Sequence, residues 1–150
     1  MLEDKTENIR KYLSSHSYLN LAISYRDKPY ASTMKYVAKE FSLYFAMFKS
    51  SHTANVLLQN NFVACTIDDH NVEEFIQIVG EAVLMDSKEE RKKAGNILKK
   101  IYSNIMFWMY SDDVLFYKLC PYRIKYTLGG KNYKSVKEFG ESFELVIKNL

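Results

Sequence analysis

The sequence predicts a mainly β fold: an antiparallel barrel with flanking helices, formed as a single domain over residues 1–150. Three observations carry this expectation. Leu19, Leu21, Ile23 and Tyr25 recur at a period of two, and further alternating or apolar runs follow at Tyr30 to Val37, Ser42 to Phe48, Phe62 to Asp68, Phe75 to Met85, Val114 to Cys120 and Tyr122 to Leu128. Aromatic residues make up 15% of the chain, with 12 Tyr and 9 Phe, and aromatic side chains favour pleated, half-buried surfaces. Gly80 stands inside the longest run, where a bulge or sharp bend lets a sheet curl towards closure.

Taken in order, Asp4-Lys5-Thr6-Glu7 has capping-box spacing and Ile9, Tyr12 and Leu13 recur at helical intervals, so a helix runs to about Ser15. Strand one spans Tyr18 to Tyr25, and Arg26-Asp27-Lys28-Pro29 supplies a turn. The second strand places Ala31, Thr33, Lys35 and Val37 on one face and Tyr30, Ser32, Met34 and Tyr36 on the other. Ala38-Lys39-Glu40 turns into the third. After it, Thr53 to Gln59 reads as two helical turns, with Ser50 or Ser51 as N-cap. Two strands follow, separated by the polar loop Asp69-His70-Asn71.

Ser87-Lys88-Glu89-Glu90 repeats the capping-box pattern and opens a helix with Ala94, Ile97, Leu98, Ile101, Tyr102 and Ile105 on one face. Arg91, Lys92, Lys93, Lys99 and Lys100 lie mostly elsewhere and read as a solvated face. Pro121 interrupts the last two strands at an edge, bend or bulge, and Gly129-Gly130 turns the chain. Ser135-Val136-Lys137-Glu138 then starts a terminal helix, with Val136, Phe139, Phe143, Val146, Ile147 and Leu150 along one stripe. The expectation is seven strands with three or four helices.

Composition excludes several classes. Hydrophobic content of 47% and charged content of 26% belong to a globular chain, not a disordered or fibrous one. The net charge is +3 with both signs interspersed, which is not the footprint of a nucleic-acid binder. Residues 1–7 are acidic without an apolar leader segment and no apolar run approaches the ~18 residues of a membrane span, so a cytoplasmic location is expected. Cys65 and Cys120 sit in apolar contexts and read as buried free thiols. His16, His52 and His70 are scattered, which argues against a metal site. No nucleophile elbow, P-loop or dinucleotide fingerprint occurs, and the adjacent carboxylates Glu89-Glu90 and Asp112-Asp113 fit structural roles, so no catalytic side chain is assigned.

The functional lead is the turn Lys49-Ser50-Ser51-His52, where a strand delivers a helix N-terminus. Unpaired backbone N–H groups and a partial positive charge there, beside a lysine, two hydroxyls and a histidine, suit a phosphate or carboxylate. The alternative is that the serines cap a surface helix and the charges are solvated.

The order of Pro29-Tyr30-Ala31-Ser32-Thr33-Met34-Lys35, Leu43-Tyr44-Phe45, Ser50-Ser51-His52-Thr53-Ala54-Asn55-Val56, Asn60-Asn61-Phe62-Val63-Ala64-Cys65-Thr66-Ile67 and Ile76-Gln77-Ile78-Val79-Gly80-Glu81-Ala82 resembles the FMN-binding split-barrel family typified by pyridoxamine 5'-phosphate oxidase. The resemblance implies a split β-barrel homodimer with two FMN molecules at the subunit interface. Ser32, Thr33, Met34 and Lys35 match the strand beside the isoalloxazine ring, with Lys35 directed at the flavin; Phe45 and Ala46 match contacts from the next strand. Ser50, Ser51 and His52, with Lys49 beside them, match the phosphate turn, and Gln77 matches a polar residue offered by the second subunit. A flavin-dependent oxidoreductase or flavin reductase is implied, drawing on a small-molecule substrate and NADH or NADPH.

The departures bear on substrate. Asn61-Phe62 replaces the family's common Asn-Pro, and no C-terminal Arg-x-His segment is found, so pyridoxamine phosphate oxidation is not expected. Trp108 is a candidate for lining the pocket from the partner subunit, or for a core or interface anchor. Three alternatives stay open: a haem with His16 or His52 as axial ligand, a deazaflavin in place of FMN, and a non-catalytic dimeric interaction module.

Overall fold

A computed structural model describes residues 2–70, 74–128 and 141–149. The chain runs α1 (Leu2–Ser15), β1 (Tyr18–Tyr25), β2 (Lys28–Lys35), β3 (Val37–Lys39), β4 (Ser42–Phe48), α2 (His52–Gln59), β5 (Phe62–Asp68), β6 (Glu74–Leu84), α3 (Lys88–Leu98), α4 (Ile105–Met109), β7 (Val114–Leu128) and β8 (Glu141–Val146). All eight strands join one sheet in the order β2-β1-β5-β6-β7-β4-β3, with β8 added along β7, and every pairing is antiparallel. This is the antiparallel split barrel with flanking helices that the sequence predicts. None of the described helices is long and apolar enough to cross a membrane.

β1 displays the alternation cleanly: Leu19, Leu21 and Ile23 are buried, while Tyr18, Asn20, Ala22 and Ser24 are exposed. Burying such side chains contributes about 1.5–3 kcal/mol each. Inward residues of β4, β5, β6 and β7 meet them, and α1 adds Ile9, Tyr12 and Leu13 to the same core. A second, smaller core gathers Tyr44, Phe116, Met85, Ala94, Leu98, Ile105 and Met109 between the outer side of β4 and β7 and the α3–α4 pair.

Gly80 does mark a bulge. Val79 faces Arg123 and Gly80 faces Pro121, so Tyr122 is the extra residue. A Cβ on Gly80 would meet the Cys120 carbonyl oxygen well inside van der Waals contact and Pro121 Cα at 3.0 Å. The bulge turns Glu81 towards Tyr122 and Asn61, and its carboxylate accepts the Tyr122 hydroxyl at 2.6 Å and Asn61 Nδ2 at 2.7 Å. Those hydrogen bonds, Tyr122 foremost, hold the Glu81 carboxyl below its ordinary range.

Several expectations need correction. α1 begins at Leu2, so Asp4 lies in the first turn with Glu3, where a carboxylate suits the helix dipole, and not at an N-cap. The predicted strand from Tyr30 to Val37 divides at Tyr36: its N–H makes the last bond in register with β1, to the Ser17 carbonyl at 2.9 Å, its buried hydroxyl donates to the Leu13 carbonyl at 2.7 Å, and the next residue takes Tyr44 of β4 as its partner. Val37 then starts β3, and Glu40, at a φ of 55°, closes the hairpin to β4. β7 runs unbroken through Pro121: Val114 to Leu119 pair with β4 and Arg123 to Leu128 with β8, and the proline, having no N–H, falls between those two ladders.

The helix opened by the confirmed Ser87 capping box stops at Leu98, and α4 is a separate short helix. The terminal helix is overturned where it is described, since Glu141 to Val146 form β8. Phe143 and Leu145 face the core in strand alternation, and the open edge of β7 supplies a ladder that a helix leaves unmet. Ile147 and Lys148 donate backbone N–H groups to the Tyr122 carbonyl and are not helical either, while the part of that predicted helix before Glu141, its last residue Leu150, the Gly129-Gly130 turn and Asn71 lie outside the described residues. Cys65 is buried and burial pushes its thiol up to about 12, whereas Cys120 is half-buried, not buried; both are free thiols.

Two outcomes are expected. Gly80→Ala should lower the urea midpoint with an unchanged slope, by about 1–3 kcal/mol, because backbone on β7 must yield. Glu81, with its folded pKa depressed, contributes stability that is present above the unfolded carboxylate value near ~4.3 and lost as pH falls through the lower folded value. Tyr122→Phe should flatten that acid limb of a stability–pH profile; an unchanged limb would place the coupling elsewhere.

Candidate functional site

Ser51 is the N-cap of α2. Its backbone is extended, at φ −70° and ψ 151°, and its Oγ accepts the Ala54 N–H at 3.1 Å. Ser50 is exposed at the tip of the turn. The hydroxyl hydrogen of Ser51 remains available to a ligand, as do N–H groups of the first helical turn. β2 runs alongside. Ser32 Oγ lies 3.4 Å from Thr53 Oγ1, and the Tyr30 ring meets the His52 ring edge-on with centroids 4.8 Å apart. Tyr30, Ser32, Ser51, His52 and Thr53 therefore form one hydroxyl-rich cradle where α2 begins.

Tyr30 and Thr53 were not among the residues singled out from sequence. Tyr30 shares the β2 face of Ser32, so strand alternation alone had already placed it there. Lys49 stands apart from this cradle. Its backbone N–H donates to the Asp113 carbonyl at 2.8 Å, and it lines a groove with Leu84, Asp86 and Asp112.

A second feature lies where the barrel is split. β3 covers β4 only from Ser42 to Tyr44, so the rest of that edge is open. Ala46, Met47, Phe48, Tyr102, Trp108 and Val114 enclose a cleft of about 140 Å³ there. Trp108 tilts against Tyr102 at 4.8 Å and meets Phe48 at 6.3 Å between ring centroids, so it lines the cleft of its own chain. Lys35, at the end of β2, places Nζ 5.8 Å from the Tyr102 ring and 5.9 Å from the Tyr18 ring. Burial, and next the neighbouring Tyr18, raise the Tyr102 pKa, so its hydroxyl stays protonated.

The other residues drawn from the resemblance are dispersed. Phe45 is fully buried and stacks on Tyr117 at 6.0 Å, so its side chain faces the barrel interior while Ala46 faces the cleft. Met34 packs partly against the core. Thr33 points outward, donating to Asn20 Oδ1 at 3.3 Å, and Asn20 donates to Thr66 Oγ1 at 3.3 Å. Gln77 is exposed beside Thr66, completing a polar row across β2, β1, β5 and β6. The neighbouring row is Ala31, Ala22, Ala64 and Val79, so this outer face is flat and carries small side chains.

Arg91 is the residue beside the cleft whose role the sequence concealed. It reads there as one more member of a basic run, yet its guanidinium donates to the carbonyls of Trp108, Met109, Ser111 and Val114 at 2.8–3.0 Å and stacks 4.8 Å over Phe116. Charge-assisted bonds of this kind contribute about 1.5–3 kcal/mol each, so Arg91 sets the position of the cleft wall. His16 is also engaged: Nδ1 is 2.7 Å from the Tyr12 carbonyl, Nε2 is 2.8 Å from Asp69 Oδ1, and the ring stacks on Tyr12 at 4.0 Å. Among the described residues no three His, Cys, Asp or Glu side chains gather to hold a metal.

The profile of the family described as pyridoxamine 5'-phosphate oxidase matches residues 6–127. Among solved structures, general stress protein 26 of Bacillus anthracis str. Sterne superposes with a TM-score of 0.68 at 18% identity, covering 94% of this chain and 98% of its own. A haem-binding protein of Mycobacterium smegmatis gives 0.75 at 14% identity, over 94% of this chain and 57% of its own. An FAD-binding protein of Mesorhizobium loti gives 0.64 at 14% identity, over 76% and 87%. None of the curated proteins matches the sequence. At such identities the superpositions speak for the fold alone, but the profile spans most of the chain: it belongs to the pyridoxamine 5'-phosphate oxidase family.

Proposed function

We propose that the protein binds FMN in a site completed by a second copy of the chain and acts as a flavin-dependent oxidoreductase or flavin reductase. One observation carries this reading: β2 joins a hydroxyl-rich helix-terminal cradle to an aromatic cleft. Ser32 lies at the cradle and Lys35 at the cleft, about 10 Å apart along an extended strand at ~3.3 Å per residue, which is a fitting reach for a ribityl chain. Ser50, Ser51, His52, Thr53 and the α2 N–H groups would receive the phosphate; Lys35, Ala46 and Trp108 would border the ring. Bound flavin supplies the hydride or electron chemistry. The protein's own part is to orient the ring, hydrogen-bond its edge and keep water from one face.

The cleft volume of about 140 Å³ falls short of the ~300–1,000 Å³ usual for ligand sites, so a single copy supplies only part of one. The flat outer face of β2, β1, β5 and β6 suits a second copy, which would bring Gln77 to the flavin. A homodimer is therefore part of the proposal.

A haem reading has one relative in its favour, but His16 is poorly suited to be an axial ligand. A nitrogen bound to iron would have to give up either the Tyr12 carbonyl or Asp69. Deazaflavin remains a variant of the flavin reading, separable by spectrum.

The purified protein, loaded with FMN and gel-filtered, should retain about one flavin per chain and then oxidise NADH or NADPH. A Soret band in its place would overturn the flavin reading in favour of haem. His52→Ala should weaken FMN at least tenfold while riboflavin changes little, since a charge-assisted bond of about 1.5–3 kcal/mol is lost only where a phosphate is present. Lys49→Ala, facing the groove, should shift FMN less. Equal losses for FMN and riboflavin would move the phosphate away from this cradle.

A further inference from the structure

The two mouths of the barrel differ. α1 closes one: Ile9, Tyr12 and Leu13 are buried in the core, and the Tyr12 hydroxyl reaches the carbonyls of Ile67 and Glu74. At the other, α2 buries Ala54, Val56 and Leu57 in the same core and leaves a groove at its side. There Lys49 continues β4, Asp86 follows β6 and Asp112 precedes β7, and with Leu58, Leu84 and Leu115 they line a groove of about 690 Å³. It adjoins a recess of about 320 Å³ that shares Asp86 and Asp112 and adds Lys88 and Lys92. The larger volume is within the ~300–1,000 Å³ of ligand sites, and barrel mouths are among their usual places.

Three features suggest an occupant. Lys49, Asp86 and Asp112 have no ion-pair partner among the described residues, although both signs line one cavity. Arg91 also borders it, but its donors are committed to four backbone carbonyls. The floor is apolar, with Leu115 buried and Leu84 half-buried. Beneath it sits Tyr117, cross-strand partner of Leu84 and two residues on from Leu115. Tyr117 is 1% exposed and its hydroxyl has no hydrogen-bond partner among the described residues, a rare condition for a buried polar group. Burial, and next the charge of Asp86, raise its pKa, which keeps it a neutral donor.

We infer that this groove is a second ligand site, apart from the proposed flavin cleft, for a small zwitterion with an apolar body. An ammonium would sit at Asp86 and Asp112, a carboxylate or phosphate at Lys49, and the body over Leu58, Leu84 and Leu115. The inference stands whether or not the chain binds flavin, because it uses none of the cradle or cleft residues.

The test is methyl and aromatic NMR of the full chain titrated with 6-aminohexanoate, with hexanoate and hexylamine as one-charge controls. Saturable shifts at Leu58, Leu84 and Leu115, with Trp108 unmoved, are expected, and each control should bind at least tenfold more weakly, as befits loss of one charge-assisted contact. Combining Asp86→Asn with Asp112→Asn should reduce 6-aminohexanoate to the level of hexanoate. The site is overturned by the absence of saturable shifts up to about 10 mM, weaker than the ~4 kcal/mol of a millimolar ligand. It is equally overturned by shifts centred on Trp108 and Tyr102, or by hexylamine binding as tightly as the zwitterion.

Discussion

The β6–β7 ladder is the constraint on which the rest depends. β7 is 15 residues long and changes its outer partner midway, from β4 to β8, while β6 stays paired along its whole length. A strand that long cannot stay flat and also serve two neighbours; the Gly80 bulge opposite Pro121 takes up the bend. Only a residue without a Cβ permits the approach of the Cys120 carbonyl. Because β4 hangs from the first half of β7, the bulge also decides where the free edge of β4, and so the cleft, faces.

The site inherits its shape from what the sheet leaves uncovered. β3 is three residues long and stops at Tyr44's partner, so Ala46 and Phe48 stand on an unpaired edge. An open edge normally invites further strands. Here α4 and the loop before it are placed over that side, anchored by Arg91 to four carbonyls, and Trp108 and Tyr102 become a wall in place of a strand. Gly95 contributes by letting Met109 pack against α3, since its side-chain atoms occupy the space a Cβ would take. At the far end of β2, the Ser32–Thr53 contact ties the edge strand to α2 and holds the cradle beside it.

The closed mouth of the barrel is a tyrosine layer. Tyr12, Tyr36 and Tyr126 give hydroxyls to Ile67 and Glu74, to Leu13, and to the Glu74 carboxylate, respectively, and burial raises all three pKa values, so they act as neutral donors. The aromatic excess of the sequence thus has a dual use: ring surface for the core, and hydroxyls that satisfy backbone groups where strands end. His16 and Asp69 extend the same layer outward, and the contacts of His16 to Asp69 and to the Tyr12 carbonyl are part of that architecture.

The barrel class, the first strand, the α2 cap region, the Ser87 capping box and the Gly80 bulge were all legible, because each is written in neighbouring residues: a period, a cap or a glycine. The family, too, was readable in the order of its motifs. What failed was set by distant partners. The second strand divides because Val37 takes Tyr44 of β4 as its partner while Tyr36 is still bonded to Ser17, and β8 is a strand because β7 offers an open edge, against a helical stripe in its own residues. Local pattern thus determined most of the strands, the Ser51 and Ser87 helix caps and the bulge. Only the tertiary structure decided that Lys49 faces a groove while His52 meets Tyr30, that Thr53 joins Ser32, and that Arg91, in a row of surface lysines, holds the cleft in place. Each of those choices depends on which groups the sheet leaves unpaired, and period and spacing carry no record of that.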